Sequence, residues 1–187
     1  MPSRMLPRRP RSKARLRAFT LVELMTVVAI LGILSAVAIT LVRGHMRAAK
    51  TTSALAGAQW VRAGQLAFRS ENGQFMDCSG TANRYYPMQT PGQKSYSWVQ
   101  TSHPDYTRWA SLGIPATGGT HFGYLVNAGL AGQAYPALQT STAVVIPASA
   151  DPWYVLQFRG DLDGDGVIMR GVATSVDAEV FVENEGE

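Results

Sequence analysis

The sequence predicts an α+β chain: one long N-terminal helix, membrane-spanning in its first half, packed on a small antiparallel β-sheet. Three observations carry that expectation. Phe19 to Val42 is apolar almost throughout, and Leu24–Val42 holds nineteen consecutive residues without a charge, within the ~17–25 that cross a bilayer as a helix. Small and apolar residues then recur at helical spacing to about Ser70. Beyond Asn72, β-branched and aromatic runs alternate with Gly- and Pro-rich segments, as antiparallel strands and their turns do.

Residues 1–18 read as a basic leader, with seven Lys/Arg (Arg4, Arg8, Arg9, Arg11, Lys13, Arg15, Arg17) and no acid. Only Arg43, Arg47 and Lys50 follow the span closely, so the positive-inside rule puts the N-terminus in the cytoplasm. The head then faces the periplasm or the outside. Without the leader the chain carries ten Lys/Arg against thirteen Asp/Glu, a charge of −3. The basic balance of the whole therefore belongs to a targeting segment, and no nucleic-acid partner is expected.

One acid, Glu23, lies inside the apolar stretch. Thr20-x-x-Glu23 is a capping-box pattern, and an acid in the first turn suits the helix dipole. Further in, a carboxylate in hydrocarbon costs about 2.5–3.5 kcal/mol on insertion scales and needs a partner. An ordinary secretory signal peptide is the competing reading, with residues 24–34 as apolar region and Ala36-Val37-Ala38 as cleavage site. That reading gives Glu23 no use.

The basic leader, the sharp boundary, the word FTLVEL and the membrane-length helix resemble the N-terminus of type IV prepilins and of the related pseudopilins. The resemblance covers about residues 17–46. It implies cleavage by prepilin peptidase between Ala18 and Phe19 and N-methylation of Phe19. It also implies that Glu23 engages the Phe19 amine of a neighbouring subunit, fixing register as helices polymerise. The chain would sit in the inner membrane as a single-pass protein before entering a periplasmic or extracellular filament with itself and other pilin-like subunits. The sequence departs from the family in ending its leader on Ala18 rather than Gly, and in carrying Thr40 where many pilins have a kinking Pro.

Residues 19–46 are thus read as the transmembrane and assembly helix, and 47–71 as its amphipathic continuation. Ala54, Gly57, Ala58, Val61, Gly64 and Phe68 line one face, small enough for a sheet to approach closely. Lys50, Ser53, Gln59, Arg62 and Arg69 are expected on the other side. Glu71-Asn72-Gly73 is the stop, with Gly73 as left-handed cap.

Residues 72–187 form the head. Residues 72–94 read as loop. Strands are expected at Tyr96–Gln100, His121–Asn127, Trp153–Arg159 and Glu179–Glu183, with a helical turn at Tyr106–Gly113 anchored by Trp109 and Leu112. Gly129–Pro147 is rich in small residues and reads as surface. The aromatics Tyr85, Tyr86, Tyr96, Trp98, Tyr124 and Trp153 suit core packing better than a stacking platform. His45, His103 and His121 are scattered, and no H-E-x-x-H, G-x-S-x-G or Walker loop occurs, which argues against an enzyme.

One local motif remains, the acidic loop 161–166 (DLDGDG). Asp161, Asp163 and Asp165 match the alternating carboxylates of a calcium loop, and Gly166 its sharp turn. The bidentate position twelve is Val172, so a further ligand is expected from Asp177 or Glu179. A plain Asp/Gly turn is the bland alternative. Lone Cys78 excludes an intrachain disulfide, the device by which many pilins close this region. Pseudopilins use calcium there, and the resemblance implies that calcium serves here. Three functions compete: a pilus subunit, a type II secretion pseudopilin, and a secreted binding domain behind an ordinary signal peptide.

Overall fold

The computed structural model describes residues 19–80, 84–89, 92–114 and 118–185, with Arg43 described in its backbone alone. The leader 1–18, including Ala18, lies outside the described residues. One helix, α1, runs unbroken from Leu21 to Asn72, and the chain divides into two compact units between Leu41 and Val42. The second half of α1 therefore belongs with the head.

In the first unit every large apolar side chain from Phe19 to Leu41 is exposed. Such a surface demands lipid or other helices. Three of its hydroxyls are satisfied locally: those of Thr26, Ser35 and Thr40 donate to the carbonyls of Glu23, Leu31 and Val37 at 2.7–2.9 Å. In hydrocarbon these groups therefore present no unmet donor. Gly32 and Gly44 do not interrupt the helix.

In the second unit Ala54, Ala58 and Val61 are buried, and α1 ends as expected. Gly73 takes φ +74°, and its N–H donates to the Arg69 carbonyl at 2.8 Å, a left-handed cap. The small face works by close approach. A Cβ at Gly57 would lie 2.1 Å from Tyr124 Oη, and one at Gly64 would lie 2.6 Å from the Leu112 carbonyl. An aromatic layer, not sheet backbone, fills the space above the helix: Tyr124 stacks on Trp98 at 4.9 Å, and Tyr86 on Trp109 at 5.1 Å.

The strands are β1 (Tyr96–Ser97), β2 (Gly119–Thr120), β3 (Gly123–Gly129), β4 (Trp153–Gly160), β5 (Met169–Thr174) and β6 (Val180–Glu183). A short helix, α2 (Tyr106–Ala110), lies between β1 and β2. β1 pairs with β2, while β3-β4-β5-β6 form an antiparallel sheet in chain order. Three of the four expected strands fall in this sheet. The fourth shrinks to Tyr96–Ser97, and β5 was not expected at all. Its sequence, MRGVAT, holds a glycine and no alternation, because it is buried on both faces.

β4 shows why. Tyr154, Leu156 and Phe158 join the core beneath α1, whereas Trp153 and Val155 form a second cluster on the other face with Val172. Tyr135, Leu138 and Ile146 pack on that second cluster. Residues 130–147 are therefore a strap over the sheet that stays at the surface, as expected, while its Tyr135, Leu138 and Ile146 pack inward. Buried Gln157 ties it down, accepting from Gln139 N at 2.7 Å and donating to the Ala137 carbonyl at 3.4 Å. Tyr85, Tyr86, Trp98, Tyr124 and Trp153 are all buried, so the aromatics build core.

The bases of α1 also differ from expectation. Arg62 donates to the carbonyls of Thr174, Asp177 and Ala178, Arg69 lies over the Phe75 ring, and Lys50 reaches the Leu162 carbonyl. They bind the head to its helix. Ser53 and Gln59 remain exposed.

Candidate functional site

The N-terminal site is built by the start of α1. Phe19 and Thr20 precede the helix, and Phe19 is exposed. The Thr20 hydroxyl accepts from Glu23 N at 3.2 Å, one half of the capping box. Glu23 stands exposed in the first turn, and no ion pair among the described residues engages its carboxylate. Among the described residues one helix, α1, is long and apolar enough to cross a membrane. A carboxylate near the start of such a helix is costly in hydrocarbon unless a partner group meets it.

The acidic loop lies between β4 and β5. Asp161 Oδ1 accepts from Gly164 N at 2.6 Å and its Oδ2 from Gly166 N at 3.2 Å. Asp163 and Asp165 each accept from the amide two residues on. Gly164 and Gly166 take φ of +83° and +93°, values that favour glycine. These turns gather one carboxylate oxygen from each of Asp161, Asp163 and Asp165 within 4.8 Å of one another.

Asp177 is not among them. The register pairs Gly160 with Met169 beside the loop and Val155 with Thr174 at the far end of the hairpin, so Asp177, in the turn after Thr174, sits at the opposite end of the sheet. Its Oδ1 accepts instead from Glu179 N at 3.0 Å. The antiparallel fold-back that was to bring Asp177 round carries it away, and Glu179 with it. Position twelve, Val172, is buried in β5 opposite Gln157.

Other residues reach the loop instead. Arg47 Nη1 pairs with Asp163 Oδ2 at 3.3 Å, Lys50 Nζ donates to the Leu162 carbonyl at 3.2 Å, and Gln93 donates to the Asp163 carbonyl. Together with the loop they line a cleft of about 520 Å³. By sequence Arg47 and Lys50 are charges flanking the span, with Lys50 also on the polar side of the helix. A basic helix end and an acidic loop in one chain were the signal that they could meet.

Among the described residues the nucleophilic and titratable side chains do not gather into a catalytic constellation. Cys78 is buried, and burial pushes its thiol far up, the reverse of an activated nucleophile. Burial lowers the pKa of His121, with nearby Lys50 adding to the effect. Asp105, the most buried acid, is clamped by Arg84 through two hydrogen bonds of 3.0 and 2.8 Å and serves structure.

Comparison with known proteins adds one finding. The family model described as the prokaryotic N-terminal methylation motif matches residues 13–39. No curated protein and no solved structure matches the chain. Residues 13–39 thus carry the prepilin-type cleavage and methylation signature.

Proposed function

We propose that the chain is a type IV pilin-like structural subunit, cut by prepilin peptidase between Ala18 and Phe19, methylated on Phe19, and polymerised through α1 into a pilus. The observation that carries this reading is the methylation motif at the start of a helix whose first half is wholly exposed and apolar. Before assembly that half lies in the inner membrane, with the N-terminus cytoplasmic and the head outside it. In the filament, neighbouring helices replace lipid, and Glu23 meets the Phe19 amine of the next subunit. Pairing both charges removes the cost of burying either and fixes the axial step. The role is structural, not catalytic.

A secretion pseudopilin would use the same chemistry in a shorter filament. The three converging carboxylates favour that second reading, since a loop closed by calcium is the pseudopilin device. Asp161, Asp163 and Asp165 would supply three oxygens to a cation that takes six to eight, with water supplying the others. When bound, the cation would neutralise the loop; Arg47 and Lys50 do part of that work from the helix.

Mass spectrometry of the exported protein tests processing. An N-terminus at N-methyl-Phe19 is expected. Ile39 as first residue would establish an ordinary signal peptide and remove the filament.

A further inference from the structure

The two edges of the main sheet carry different, complementary surfaces. Ser79 and Tyr86 lie against the outer side of β3: Ser79 N donates to the Val126 carbonyl, and Tyr86 and Tyr124 exchange both main-chain bonds at 2.7 Å. Where β3 ends, a groove of about 440 Å³ opens between Phe68, Phe75 and Leu130, with Arg108 on its wall. Leu130 is 50% exposed. Arg69, over the Phe75 ring, adds a second base. Asp77 also lines this groove, and its Oδ1 is engaged by Gly80 N at 2.9 Å.

At the other edge, the strap residues Val144–Pro147 and β6 enclose a groove of about 350 Å³ whose rim carries Asp177 and Glu179. Both acids are exposed. Arg62, the base nearest them, is bonded to the carbonyls of their own turn. Val145 is 88% exposed, more than any other large apolar side chain described. This edge thus exposes Val145 at the lip of a groove beside two carboxylates, and the groove beside β3 is a recess of Phe68, Phe75 and Leu130 whose wall carries Arg108 and Asp77, with Arg69 over the Phe75 ring.

They also lie at one level. The register runs Gly129–Trp153, Val155–Thr174, Ala173–Val180 across the four strands, so both features stand at the same end of the sheet, on edges about 14 Å apart at the usual strand spacing.

We propose that heads dock side by side with a second copy of this chain, exposed Val145 and its acids entering the Arg108 groove of the next head. Opposite charge sets the orientation, and the recess removes Val145 from water. Because the two surfaces differ, the contact is heterologous: it leaves one of each free at the ends and propagates instead of closing a dimer. The proposal rests on the filament reading and names where heads touch within it.

Disulfide trapping in the full-length chain, expressed with prepilin peptidase, tests it. Leu130→Cys and Val145→Cys together should give a ladder of dimers, trimers and longer species on mild oxidation, and each alone should give none. Buried Cys78 does not compete. Arg108→Glu should cut the ladder roughly tenfold, and adding Asp177→Lys and Glu179→Lys should restore it. Filaments without a ladder would overturn the docking and leave the filament reading intact. A ladder without filaments would do the reverse. Dimers from Val145→Cys alone would mean a two-fold contact and would also overturn the proposal.

Discussion

Phe158 stands directly opposite Gly171 in the β4–β5 pair, and its ring fills the space a side chain at 171 would occupy. A Cβ there would lie 2.1 Å from Phe158 Cζ. Ring and glycine are one packing unit, the ring covering backbone that the glycine leaves bare. Gly171→Ala should therefore destabilise the unit 42–187 by about 1–3 kcal/mol, as overpacking does. Gly44→Ala, with nothing within 4 Å of its Cβ, should be neutral or stabilise the helix by up to ~1 kcal/mol. If both variants melt alike, the close-packing account is wrong.

Glu183 holds the strap. Its carboxylate accepts from Ser141 N and Thr142 N at 2.8 and 3.1 Å and pairs with Arg170 at 3.3 Å. Hydrogen bonds from Ser141 and Thr142, with Arg170 adding to them, hold its carboxyl below the usual glutamate value. A carboxyl depressed by folding contributes stability above its unfolded pKa and loses it as pH falls through the folded one. Wild type should thus melt above Glu183→Gln at pH 7, with the gap closing below about pH 4. A gap that persists at pH 3 would assign the difference to packing.

Glu23→Ala should leave export and head folding intact while lowering filament yield, because its partner belongs to another subunit. Electron microscopy and sheared-filament yield measure this. Equal assembly by wild type and variant would leave Glu23 only its place in the helix cap.

Calcium should stabilise the head if Asp161, Asp163 and Asp165 hold it. Binding to the folded state alone contributes about 2.7 kcal/mol at a hundredfold excess over Kd, so the unit 42–187 should melt about 5–11 °C lower in chelator. Asp163→Ala should stop responding to calcium, and Asp177→Ala should respond as wild type does. Identical melting in calcium and chelator would make the loop an ordinary turn neutralised by Arg47 and Lys50.

What could be read from the chain itself was whatever depends on neighbours in sequence. The span, the FTLVEL word, the Gly73 cap, the small face from Ala54 to Gly64 and three strands of the main sheet all express local periodicity or local turn chemistry. The methylation motif is legible for the same reason: it is a contiguous word. The Asp161–Asp163–Asp165 cluster, three acids in five residues, needs only a tight turn to converge.

Tertiary structure decided what depends on residues far apart. β5 escaped notice because its glycine is completed by Phe158 from another strand, and because the strap buries the face that would otherwise have shown alternation. Asp177 was misplaced because an antiparallel strand of six residues separates it from the loop, and only the register says which end of the sheet it reaches. Arg47 reads as a charge following the span, and Lys50 and Arg62 as bases on the far side of the helix. Their partners are Asp163 and main-chain carbonyls more than a hundred residues later, and a carbonyl carries no side-chain signature by which a sequence could announce it.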